Sequence, residues 1–207
     1  MKITKYEHAC FTVEENGQVL VVDPGAYTTD FTTPTGVVAV VVTHEHADHM
    51  DKTHLQAIVD ANPDVVIISH SDITSQLSEF KTMSVVPGEG SRVGDFTLEF
   101  YGGTHATIYP ELPAIANIGV MINGSLYYPG DSFALPEREV KVLALPVSAP
   151  WMKISEAIDF AKAVNPKLIF PTHDAVLSDA GKALPDRLVP SFVQGIEYKR
   201  LHEPLEI

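Results

Sequence analysis

The sequence predicts an α/β fold: two mixed β-sheets packed face to face with helices outside, a four-layer αββα sandwich. Three observations lead there. Each half of the chain contains short apolar segments joined by hairpin-type turns, Glu15-Asn16-Gly17 in the first and Asn123-Gly124 in the second. Each half then passes into alternating strand and helix patterns. No linker-like or low-complexity stretch divides the halves, so residues 1–207 are expected to form one domain.

The elements follow in order. Strands are expected around 2–6, 9–14 and 18–22, the third ending at Asp23-Pro24-Gly25. The run Val37-Val38-Ala39-Val40-Val41-Val42 is short, β-branched and unbroken, as a strand buried on both faces should be. Asp51 is placed to cap a helix over 52–61, which Asn62-Pro63 stops. A strand at 65–69 and a helix at 71–80 come next, followed by short strands between 84 and 101. Segments 115–122 and 125–129 form a hairpin; 141–145 reads as a strand, 154–164 as a helix and 168–170 as a strand. The last thirty or so residues are expected to hold a helix near 186–194 and a strand near 196–202.

Composition narrows the function. A net charge of −13, with 14 basic residues scattered so that only Lys199-Arg200 are adjacent, argues against nucleic acid. It also opposes anionic membrane surfaces, so the expected partner is a small-molecule substrate. No apolar run approaches the length of a membrane span, and the N-terminal residues lack the apolar core of a signal peptide. The single cysteine, Cys10, lies in an apolar stretch and reads as a buried strand residue; the expected compartment is the cytoplasm.

Directly after the 37–42 run comes His44-Glu45-His46-Ala47-Asp48-His49, three imidazoles and two carboxylates in six residues. Neutral imidazole nitrogen and carboxylate oxygen are ligands that zinc, iron and manganese accept, and packing gives no reason to gather them on a loop. His44 and His46, two apart in an extended segment, point the same way, whereas His49 follows after the chain has begun to turn. Three more candidates stand at strand ends: His105 after Tyr101-Gly102-Gly103-Thr104, Asp131 after Pro129-Gly130, and His173 after Pro171-Thr172.

With these motifs in this order, the chain resembles the metallo-β-lactamase superfamily: H-x-H-x-D-H at 44–49, a single His at 105, Gly-Asp at 130–131, a late His at 173 and an early Asp at 23. The start His8-Ala9-Cys10-Phe11-Thr12-Val13-Glu14 and the segment from Asn117 through Asp131 to His173 look like its branch of simple metal-dependent hydrolases, which includes ascorbate-6-phosphate lactonase-like proteins. Where that branch often carries Gly-Gly, this chain has Pro146-Val147-Ser148-Ala149-Pro150-Trp151.

The resemblance implies two divalent metal ions, zinc first, with manganese or iron as alternatives. His44, His46 and His105 would hold one; Asp48, His49 and His173 the other; Asp131 would bridge them. Asp48 and Asp131 would act in catalysis, because two carboxylates leave two divalent cations with surplus charge, enough to make a bridging hydroxide near neutral pH. The expected reaction is hydrolysis of a small-molecule ester, lactone, amide or phosphoester. Alternatives are a mononuclear iron dioxygenase of the same fold, or a metal-binding protein without catalysis.

The remaining candidates carry plainer readings. Asp23 is expected to orient the ligand loop. His8 is either a site-lining donor or a satisfied strand histidine; His54 and His202 read as surface or packing, and His70 has some chance of bordering the pocket. Tyr109, Trp151 and Met152 read as core before pocket wall, and Ser132 as a turn residue.

Overall fold

The computed structural model describes residues 1–207. The first half builds one sheet. Its strands β1 (Lys2–Lys5), β2 (Phe11–Glu15) and β3 (Gln18–Val22) form an antiparallel meander. Strand β4 (Val37–Val41) then joins β3 in parallel. Helix α1 (Lys52–Ala61) leads to β5 (Val66–Ser69), and the short helix α2 (Ser71–Thr74) to β6 (Thr82–Ser84), both strands parallel to their neighbours.

The second half repeats this plan. Strands β7 (Gly90–Val93), β8 (Phe96–Thr104), β9 (Ala116–Ile122) and β10 (Leu126–Tyr128) are antiparallel. Strands β11 (Val142–Pro146) and β12 (Leu168–Thr172), joined through α3 (Ile154–Val164), extend the sheet in parallel. After α4 (Asp179–Phe192), β13 (Glu197–Tyr198) closes this sheet, and β14 (Leu205–Glu206) crosses back to pair with β1. Each sheet thus has seven strands and mixed pairing, flanked by its own helices, as the sequence predicts.

The period-2 alternation of strand side chains sorts the apolar residues into three layers. Leu20, Ala39, Val41, Ile68, Ala144 and Phe170 face the space between the sheets. Their neighbours in sequence face outward: Val21, Val40 and Ile67 under α1 and α2, and Leu143 and Ile169 under α3 and α4. Both faces of β4 are therefore buried, which is why its sequence shows no polar alternation. No helix is long and apolar enough to cross a membrane.

Some elements differ from expectation. The helix expected over 71–80 ends at Thr74, and three-residue turns follow, with the amide of Leu77 bonding Thr74 O and that of Phe80 bonding Leu77 O. Ser75 contributes by turning its hydroxyl onto Asp72 O, competing with the backbone ladder. The C-terminal helix begins at Asp179, not near 186, capped by the Ser178 hydroxyl, which accepts from the amide of Gly181. Of the strand expected over 196–202 only β13 forms, and β14, in the other sheet, lies beyond that range.

Candidate metal centre

The chain leaves β4 after Val41 and reaches the motif through Thr43, at the same end of the sheet where β3 leads into Asp23-Pro24-Gly25. This turn lies directly beneath the histidine motif. A Cβ on Gly25 would fall 1.9 Å from the carbonyl oxygen of Asp48, so a side chain here would collide with backbone. Asp23, held at φ 44°, is fully buried. Its carboxylate accepts from the amide of Thr43 (2.8 Å), the Thr43 hydroxyl (2.7 Å) and His49 Nδ1 (2.7 Å). One buried acid thus fixes both ends of the motif.

Three loops from the second sheet close over it. His105 follows β8, and the next amide, of Ala106, donates to Asp131 O (2.8 Å). Asp131 follows β10 after Gly130, whose φ of 63° belongs to the left-handed region that suits glycine. Asn117 on β9 clamps that turn: its Oδ1 accepts from the Asp131 amide and its Nδ2 donates to Pro129 O, each at 2.9 Å. His173 follows β12, and its amide donates to His8 O (3.0 Å). Both His8 and His173 have left-handed backbones, with φ of 53° and 60°, strain of the kind that concentrates at functional sites.

The result is two neighbouring groups: His44, His46, His105 and Asp131, and His8, Asp48, His49 and His173. Within each, the candidate ligand atoms lie within 4.8 Å of one another. Asp131 reaches both, with Oδ1 3.3 Å from His49 Nε2 and Oδ2 3.0 Å from His173 Nε2. All seven sequence-predicted residues are brought together here. His54 sits instead against Phe31 and Pro24 O, His70 caps α2, and His202 is exposed.

The donor chemistry fits metal ions. Four imidazoles have their Nδ1 on an acceptor: His49 on Asp23, His105 on Ala106 O (2.5 Å), His173 on Ser148 O (2.6 Å) and His44 on the Thr43 hydroxyl (3.0 Å). These partners assign one proton to Nδ1 and turn Nε2 into the centre, the atom through which a neutral imidazole ligates a cation. Seven buried side-chain polar atoms in the molecule lack a hydrogen-bond partner; four of them, His49 Nε2, His105 Nε2, His173 Nε2 and Asp131 Oδ1, face one another here. Buried polar atoms are otherwise nearly always satisfied, so this cluster is built for a partner of another kind.

Electrostatics agree. Burial, reinforced by the neighbouring His49, holds His44 well below the usual imidazole range, and burial with His105 lowers His46. Burial opposes charge on His49 too, yet Asp131 and Asp23 outweigh it and raise it to about 9. Burial would raise Asp48 and Asp131. The His8 hydrogen bond and the charge of His49 bring Asp48 down to about 2, and His49, with the nearby His105 and His173, holds Asp131 well below the carboxylate range. Both carboxylates are ionised at neutral pH.

Two further residues belong to the centre. His8 Nδ1 accepts the Ala175 amide (3.2 Å), which leaves Nε2–H to donate to Asp48 Oδ2 (2.9 Å). His8 therefore orients Asp48 and has no lone pair to offer. Trp151, read from sequence as core, donates its indole N–H to Asp131 Oδ2 at 2.8 Å. The one signal that could have found it is positional: like the ligands, it lies on a loop after a strand, β11. Asn117, a lone polar residue in an apolar strand, carried a comparable signal. Cys10 is buried, its thiol pushed up to about 12 by desolvation, and stands apart from the chemistry.

Known proteins agree with this architecture. A family model described as a beta-lactamase superfamily domain matches residues 2–173. Protein Rv0786c of Mycobacterium tuberculosis is 36% identical over 98% of this chain and 92% of its own length. The UPF0173 metal-dependent hydrolase MJ1163 of Methanocaldococcus jannaschii is 27% identical, covering 83% of each chain. The metallo-beta-lactamase fold protein YhfI of Bacillus subtilis, a likeness of fold, matches with a TM-score of 0.77 at 17% identity, over 99% of this chain and 98% of that one. With its fold, its motif order and these relatives, the chain belongs to the metallo-β-lactamase superfamily.

Proposed function

We propose that this metal-dependent hydrolase binds two divalent cations and cleaves an ester, lactone, amide or phosphoester bond in a small molecule. The observation that carries the reading is the set of orphaned, buried ligand atoms in two adjacent groups with Asp131 between them. His44, His46 and His105 would hold one cation, Asp48, His49 and His173 the other, with Asp131 shared. Zinc suits the imidazole-rich donor set, and manganese and iron are accepted by the same ligands.

When bound, such cations supply Lewis acidity toward the bond under attack and make water a nucleophile at neutral pH. The chain's own groups set the frame. Asp48 at about 2, and Asp131 lower than an ordinary carboxylate, are poor proton acceptors, so neither serves as the general base. Their work is to carry charge and hold position, Asp48 under His8 and Asp131 under Trp151. A mononuclear iron reading leaves His49 Nε2 and His173 Nε2 unused, and both are buried without a partner, which favours the two-cation form.

The test is hydrolysis of an aryl ester, a lactone, an anilide and a phosphodiester by untagged protein, before and after chelation. The expected result is turnover of at least one class, abolished by chelator and restored by zinc or manganese. His105→Ala should lose at least about a hundredfold in kcat/KM, since even residues that only orient ligands cost ten- to a hundredfold. Metal-independent turnover, or none in any class, contradicts the reading.

A further inference from the structure

We infer that the substrate is uncharged near its scissile carbonyl and carries an apolar group, seated against the loop between β8 and β9. This rests on the hydrolase reading and narrows its substrate class. A cavity of about 500 Å³ opens beside the first ligand group, with His46 and His105 in its wall, and its size is that of a small-molecule site. The rest of the lining comes from Thr104, residues 106–110 and residues 112–115; Glu111, between them, is exposed and outside the lining. No Asp, Glu, Lys or Arg lines it.

The loop is held only at its base, where the His105 amide bonds Ile115 O (3.0 Å) and the Ala106 amide bonds Asp131 O (2.8 Å). Its tip carries Ile108, Tyr109 and Leu112, of which Tyr109 and Leu112 are 56% and 55% exposed. Pro110 and Pro113 stiffen that segment, so presenting this apolar surface costs little conformational freedom. Large exposed apolar side chains gathered beside a polar reaction centre mark a binding surface more than a solvated loop. Beyond the cation ligands His46 and His105, an anionic substituent would find no counter-charge in this wall, whereas an alkyl or aryl group would leave water there. The other sizeable cavity near the centre, of about 650 Å³ beside His8, is lined by charged groups. Its Arg200 is already paired with Asp174 and Asp186, so it offers no comparable seat.

The experiment follows the Ile and Leu methyl resonances of metal-loaded protein during titration with acetamide, hexanamide and the charged-tail analogue 6-aminohexanamide, with p-nitrophenyl hexanoate hydrolysis read in parallel. Hexanamide should shift Ile108, Leu112 and Ile115 and bind at least about tenfold tighter than acetamide, a fraction of what full burial of its extra methylenes would give. Leu112→Ala and Ile108→Ala, at exposed positions, should each remove much of that preference. Equal binding of acetamide and hexanamide, no shift at these methyls, or tighter binding of 6-aminohexanamide than of hexanamide overturns the inference. Methyl shifts without ester turnover count against the hydrolase reading and leave the pocket standing. Turnover without methyl shifts does the reverse.

Discussion

At the scale of single residues, the centre depends on where each proton sits. His44 is held in its neutral form, but His49, raised to about 9 between Asp131 and Asp23, carries a proton at pH 7 in the metal-free protein. A cation at His49 Nε2 must displace that proton. Binding at pH 7 should therefore release about one proton per chain from this residue, and affinity should rise with pH until His49 is neutral near 9. Calorimetric titration in buffers of different ionisation enthalpy measures the release; no proton release at pH 7 would contradict the assignment. The ligands were legible because H-x-H-x-D-H is local in sequence and the later three stand at strand ends. His8 was half legible, and Trp151 was not. Their roles depend on rings meeting Asp48 and Asp131 from 40 and 20 residues away, which no periodicity encodes.

At the scale of elements, the site is a set of loops aligned by strand ends, and the Asp23-Pro24-Gly25 turn is the tightest joint. Gly25→Ala places a methyl 1.9 Å from the Asp48 carbonyl, which requires the motif loop to move. Stability should fall by about 3 kcal/mol or more, in the range of severe overpacking, and metal affinity with it. Urea denaturation of the metal-free variant measures the first; a loss under about 1 kcal/mol would show that the two loops separate easily. Local patterns predicted most elements well, α1 with its Asp51 cap included. They placed the start of α4 late, near 186 instead of at Asp179, because Pro185 speaks against a helix running through it. Pro185 and Val189 are nevertheless the buried residues of this helix, and tertiary packing overrides the local signal.

At the scale of the whole molecule, two similar halves each bring an antiparallel meander and a parallel extension, and the centre forms where their loops meet. Thr43 O from the first sheet accepts the amide of Ile118 from the second (3.0 Å), a direct tie between the halves beside the ligands. The layer plan was legible because period-2 patterns and turn residues repeat in both halves. The return of β14 to β1 was not, since a two-residue strand has too little pattern to reveal its partner. The central claim is a paired site that draws on both halves: the first ion's ligands and the second's share Asp131. It is tested most directly by the metal content of untagged protein purified without chelator. The prediction is about two divalent ions per chain, falling to about one when either His105 or His173 is replaced by alanine. A single ion per chain in the wild type, unchanged by His173→Ala, would contradict it.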